Sequence, residues 1–244
     1  MFWLTKTSVL NMLGEDYIVW RQFGLTHLCW LTLLAALIIL VIKFYPQLTP
    51  EKKRRVQVVL VCLMVADELF KDIPALITGQ FEWEFLPFHL CSVNLFISVL
   101  HAIKPGRKTS VLLTCCGLPA ALAAMLFPNW TSLPVWNYMH LHSSTVHIML
   151  ILMPVIILAD GFRPCIKDVP LIAGYIIALA CLDKALNTVL GTNFMFLTHN
   201  ENNPMLVLIE SLTGKFYNPA FVLIIIVCCS LFAILFGKLP NGNK

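Results

Sequence analysis

Seven apolar runs, each long enough to cross a bilayer as a helix of about 17–25 residues, fall near 24–45, 56–79, 86–103, 109–127, 136–159, 168–190 and 218–237. A helix satisfies its own backbone in hydrocarbon, so the pattern predicts an all-α, polytopic bundle of seven transmembrane helices. The connections are short, which makes successive helices antiparallel and leaves no room for a separate soluble domain. Of 244 residues, 59% are hydrophobic and 12% charged, where an ordinary soluble domain carries about a quarter charged. One soluble core could not hide that much apolar surface; lipid can solvate it.

The basic residues orient the bundle. Lys52, Lys53, Arg54 and Arg55 occupy the first connection, Lys104, Arg107 and Lys108 the third, Arg163 and Lys167 the fifth, and Lys238 and Lys244 the tail. The alternate connections hold Glu82 and Glu84, then no charge over 128–135, then Glu201, Glu210 and a single Lys215. An outer amino terminus and a cytoplasmic carboxyl terminus follow. The expected division is an interfacial segment 1–23, a transmembrane domain 24–237 and a tail 238–244. Residues 1–20 lack the apolar core and small-residue site of a cleaved signal; Trp3 and Trp20 suit headgroup depth. Net charge is +4, with no basic run interleaved with aromatics, so nucleic acid is not an expected partner. Most of the nine cysteines lie inside apolar runs as small hydrophobes and say nothing about redox compartment.

Ionisable groups at membrane depth are costly and mark a site or pair with one another. Here they gather towards the outer side. The second helix holds Asp67, Glu68, Lys71 and Asp72; the third opens with His89, Cys91, Asn94 and Ser98. The fifth carries His140, His142, Ser143, Ser144 and His147, and the sixth Asp183, Lys184 and Asn187, followed by Asn193. At helical spacing Cys91, Asn94 and Ser98 make one stripe, and His140, Ser144 and His147 another. An outward-facing polar cavity explains the grouping.

A cysteine and a histidine on neighbouring helices suggest nucleophilic catalysis, the imidazole taking the thiol proton so that the thiolate attacks an ester. The plain alternative is a packing cysteine. The Asp67–Asp72 cluster suits either internal charge pairing or a proton relay. The histidines match no tight zinc spacing, so neither a metal nor another cofactor is expected. Asn129-Trp130-Thr131 is a glycosylation sequon that matters only in a eukaryotic lumen.

Leu86-Pro87-Phe88-His89-Leu90-Cys91-Ser92 resembles the L-P-x-H-L-C-S signature of the YwaF-like integral membrane proteins. Phe23-Gly24-Leu25-Thr26-His27, a histidine about 14 residues before Gly161-Phe162-Arg163-Pro164, and Leu190-Gly191-Thr192-Asn193-Phe194-Met195-Phe196-Leu197 extend the resemblance over essentially the whole chain. The animal branch of that family moves polyunsaturated acyl chains onto ether phospholipids with a cysteine and a histidine. The resemblance therefore implies Cys91 as nucleophile and His147 as base, in a lipid acyltransferase or transacylase whose partners are membrane lipids. Glu68, Asn94 and Asn193 stand as candidate polarising or orienting groups, with His89, His140, Ser144, Asp183 and Asn187 as further cavity residues. His140 and His142 crowd the fifth helix beyond the family pattern, so His147 is preferred on its spacing to Arg163-Pro164. A small-solute transporter and a metal-dependent membrane hydrolase are the alternatives. The expected location is a multi-pass membrane position, the plasma membrane for a bacterial chain.

Overall fold

A computed structural model describes residues 2–14, 18–128, 130–201 and 203–239. Glu15, Asp16, Asn129 of the sequon and Lys244 of the tail lie outside the described residues. Among the described residues every regular element is helical: α1 (Lys6–Leu13), α2 (Leu25–Phe44), α3 (Pro50–Ile77), α4 (Leu90–Ile103), α5 (Arg107–Leu126), α6 (Tyr138–Ala159), α7 (Val169–Leu190), α8 (Pro204–Thr213) and α9 (Tyr217–Gly237). Five stretches are long and apolar enough to cross a membrane: Leu25–Gln47, Arg107–Leu126, Tyr138–Ala159, Ile166–Leu190 and Pro204–Gly237. The protein is an integral, multi-pass membrane protein.

Local chemistry sets the helix ends. Thr49 accepts the Lys52 N–H ahead of Pro50, so α3 begins several residues before the apolar run does. Asn137 caps α6 through the Met139 N–H, and Gly191 closes α7 in the left-handed conformation (φ 69°) that a side chain would strain. The third predicted span needs correction: α4 starts at Leu90, not at 86. Pro87 has no N–H to give, and the Phe88 N–H turns back to the Leu86 carbonyl at 2.9 Å, so 86–89 enter as a tight turn. At 14 residues α4 is short.

The middle of α5 widens into a π-helical turn over Leu112–Gly117. Two neighbours account for it: Pro119 cannot donate to the carbonyl one turn earlier, and the Thr114 hydroxyl bonds the Ser110 carbonyl at 2.7 Å.

The interior is built around α6, which packs on α2, α3 and α5. In its most apolar stretch 56% of residues are buried, against 11% for the stretch holding α2. Met64, Leu113, Ile151, Met153 and Ile156 form the dense centre. All six tryptophans fall at the end of the bundle where α2, α4, α6 and α9 begin. There α1 lies against the bundle, with Val9 packed on Ala75, Leu133 and Tyr138, and Ser8 donating to Gln80 at 2.7 Å. The opposite end is clasped by basic residues. Arg107 grips Asp168 through two nitrogens (3.2 and 2.7 Å), and Lys53 reaches Asp160 at 2.5 Å.

A cysteine and a histidine at the head of a short helix

Cys91 is the second residue of α4. The first N–H groups of a helix have no carbonyl one turn earlier, so those around Cys91 face outward as donors. Ser92, the next residue, adds a backbone N–H and a hydroxyl to the same first turn. Such a position favours a thiolate, or an oxyanion formed next to it.

His147 of α6 faces that sulfur, near enough for the two side chains to interact electrostatically. The pair is not in regular hydrogen-bond geometry, and Nε2 of His147 makes no hydrogen bond among the described residues. At the other ring nitrogen the Ser143 carbonyl lies 2.6 Å from Nδ1. A carbonyl can only accept, so Nδ1 carries the proton and Nε2 holds the lone pair. The backbone of α6 thus fixes the basic tautomer.

His140 takes a different part. Its Nε2 accepts the Trp30 indole N–H at 3.1 Å, and its ring stands edge-on to Trp20. Ser144 spends its hydroxyl on the His140 carbonyl at 3.0 Å. The stripe of His140, Ser144 and His147 is one face of α6, but only His147 meets Cys91.

Behind His147 the α3 carboxylates line up against α6. Both oxygens of Asp67 accept from Thr145 (3.1 and 3.0 Å), His142 Nδ1 donates to the Asp67 carbonyl at 3.1 Å, and His142 Nε2 stands 3.7 Å from Glu68. Glu68 also pairs with Lys71, whose ammonium donates to the Phe85 carbonyl at 3.0 Å. Glu68 lies within electrostatic reach of His147 as well. The cluster is therefore both a charge-paired unit and a chain of titratable groups leading to the dyad.

Asn94 is buried, its side-chain amide donates to the Leu90 carbonyl at 2.5 Å, and its side-chain oxygen has no partner among the described residues. It packs against the π-turn of α5, where a Cβ on Gly117 would stand 3.0 Å from the Asn94 side chain. Glycine is what lets the two helices touch.

Three further expected site residues hold a loop. Asn187 accepts from the Phe194 N–H (2.7 Å) and the Thr192 hydroxyl (2.9 Å), and donates to the Phe194 carbonyl. Asn193 accepts the Thr198 and His199 N–H groups, while its own N–H goes to Glu84 at 2.8 Å. Burial raises the Glu84 carboxyl above the ordinary glutamate range; the Asn193 N–H opposes that, and Glu201 adds to it. His89 accepts from the Met195 N–H at 3.3 Å and packs on Phe194 and Phe196. Met195 and Phe196 both have positive φ, so this loop beside α4 is a strained one held by side chains.

Asp183 is fully buried, and among the described residues neither of its carboxylate oxygens is bonded. Sequence reasoning missed Tyr175, two turns earlier on α7, whose hydroxyl also has no partner among the described residues and whose ring packs against the cluster that holds Cys116 and Cys229. The one signal was a tyrosine in an otherwise aliphatic stretch of α7. No group of three or more His, Cys, Asp or Glu side chains is placed to hold a metal among the described residues.

No curated protein and no solved structure matches the chain. The profile of the TMEM164 family matches residues 22–236, which include the Cys91 turn, the α3 carboxylates and the whole of α6. The chain belongs to the TMEM164 family of membrane proteins.

Proposed function

We propose that this protein transfers acyl chains between membrane lipids, with Cys91 as nucleophile and His147 as general base. One observation carries the reading: a cysteine on the first turn of α4 lies beside a histidine whose tautomer leaves its lone pair on the unpartnered Nε2. In the first step His147 Nε2 takes the thiol proton and the sulfur attacks the ester carbonyl carbon of a donor lipid. The ester C–O bond breaks, the departing lyso-lipid oxygen takes the proton from His147, and the acyl group remains as a thioester. An acceptor hydroxyl then loses its proton to His147 and attacks the thioester, returning the thiol. The N–H groups at the head of α4 stabilise the oxyanion in both steps. The resemblance to YwaF-like proteins supports membrane lipids as acyl donor and acceptor.

The seven-span arrangement belongs to the same proposal. The five apolar stretches are joined by α3, whose 28 residues span about 42 Å, and by α4 with its turn over 86–89. The basic connections put that end in the cytoplasm, so the dyad opens towards the outer leaflet.

The test is labelling of detergent-solubilised protein with a thiol-reactive lipid electrophile, beside an acyl-transfer assay, for wild type, Cys91→Ala and His147→Ala. The expected result is label and transfer both lost in Cys91→Ala and sharply reduced in His147→Ala. Equal labelling in all three makes Cys91 an ordinary buried thiol and ends the proposal.

A further inference from the structure

A second polar feature lies about 10 Å from His147 along α6, the seven residues back to His140 rising about 1.5 Å each. A small cavity opens there between α2, the end of α5 and the start of α6, lined among others by Trp20, His27, Trp30, Met125, Trp130 and His140. His27 is spent: its Nδ1 accepts the Phe23 N–H at 2.8 Å and its Nε2–H donates to the Met125 carbonyl at 2.7 Å. His140 is half spent. Because Nε2 accepts from Trp30, the neutral ring carries its proton on Nδ1, and that N–H has no partner among the described residues. Among the same residues the Trp20 indole N–H has none either. Both side chains are more than nine-tenths buried, His140 at 1% and Trp20 at 9% exposure.

Two residues with buried, unmade N–H donors line a space of about 20 Å³, room for one oxygen atom. Each left unmade costs free energy, so the cavity calls for an acceptor. Lysine, arginine and carboxylates are absent from the lining residues. Lys6 approaches the Trp130 ring (5.7 Å) without lining the cavity. An uncharged acceptor with an apolar body fits better than an anion. Tryptophan favours the membrane–water interface, and three indoles wall this cavity.

We propose that this cavity is a lipid-binding site, in which the N–H groups of Trp20 and His140 receive the ester carbonyl oxygen of a glycerolipid between tryptophan walls. The separation from His147 makes this a holding site and not the place where an ester is cleaved. It stands independently of the acyl-transfer reading.

The experiment is competition against tritiated diheptanoylphosphatidylcholine bound to the full chain in detergent. The competitors are the unlabelled diester, the dialkyl analogue that lacks both carbonyls, and heptanoate. The dialkyl compound should compete about thirtyfold more weakly, the worth of two hydrogen bonds. Trp20→Phe keeps the ring and removes the donor, so it should narrow that preference. Cys91→Ser should leave it intact, which separates this site from the proposed nucleophile. Equal competition by diester and dialkyl compounds in wild type means the cavity holds only water and overturns the proposal. Heptanoate outcompeting the diester overturns it in favour of a carboxylate. A diester lipid bearing a diazirine beside its carbonyl gives a second readout on wild-type protein. Crosslinks should fall in the peptides holding Trp20, Met125 and His140, and an even spread over the bundle surface would count against the site.

Discussion

The two halves of α6 are packed in the same interior by different means. Tyr138–His147 contains His140, His142, Ser143, Ser144, Thr145 and His147, and its side chains bond to α2, to α3 and to its own backbone. Ile148–Ala159 contains no polar side chain and is held by shape against Met64, Leu113 and their neighbours. Lipid is as apolar as either surface, so hydrophobicity alone does not decide which way a membrane helix turns. The polar half supplies the orientation: each bond is directional, and a rotation of α6 would strand several buried groups at once. The apolar half supplies density. The proposed chemistry falls in the first half, where charged and polar groups can be held in one geometry.

That comparison can be broken most forcefully at the dyad. Cys91→Ser and His147→Gln should each lower acyl transfer by about 10²-fold or more, the usual scale for a lost nucleophile or base. Their melting temperatures in detergent should stay close to wild type, because neither side chain carries a regular tertiary hydrogen bond. A large loss of stability without loss of transfer would reverse the assignment of the two halves.

Ile151→Ala should do the opposite. Ile151 is fully buried in the apolar half, and truncation there costs about 3 kcal/mol in packing. Thermal unfolding should shift down while the folded fraction keeps its thiol reactivity. Trp30→Phe is milder, removing the indole donor that holds His140 and costing about 1 kcal/mol. Scanning calorimetry of the variant beside wild type measures it.

The smallest effect concerns Glu84, in the connection that pins the 191–201 loop. Its folded carboxyl is shifted upwards by burial. The folded state therefore holds its proton more tightly than the unfolded state does. Stability from this group is fully present below the ordinary glutamate range and is lost as pH rises through the folded value. Glu84→Gln keeps an acceptor for the Asn193 N–H and should flatten that part of the curve. Melting temperatures across the mildly acidic range, variant against wild type, would show it.

Helix positions were legible in the sequence because a bilayer demands long apolar runs, and α2, α6, α7 and α9 begin within about two residues of where hydropathy placed them. The head of α4 was not, since a proline turn changes four residues without changing their hydropathy. Among the candidate residues, Cys91 and His147 could be singled out from motif and spacing, and the structure brings them face to face. Asn187 and Asn193 looked alike as polar residues near a cavity. Both are occupied by backbone groups of one loop, a use that depends on where the chain folds back. Tyr175 was invisible because its importance lies in an unpartnered hydroxyl near three other helices' side chains.

The widened turn of α5 has a consequence for how the chain tolerates change. A π-turn holds one residue more than the regular helix would, so everything beyond it is rotated by about 100° relative to an uninterrupted helix. Winding the same residues as an uninterrupted α-helix would swing the remaining stretch to Leu126 out of phase. Gly117 would leave Asn94, and Met125 would leave His27. The wide turn therefore acts as a gear between the Cys91–His147 pair and the tryptophan-lined end: losing one residue within it should restore ordinary winding with both contacts kept, whereas gaining one should break them.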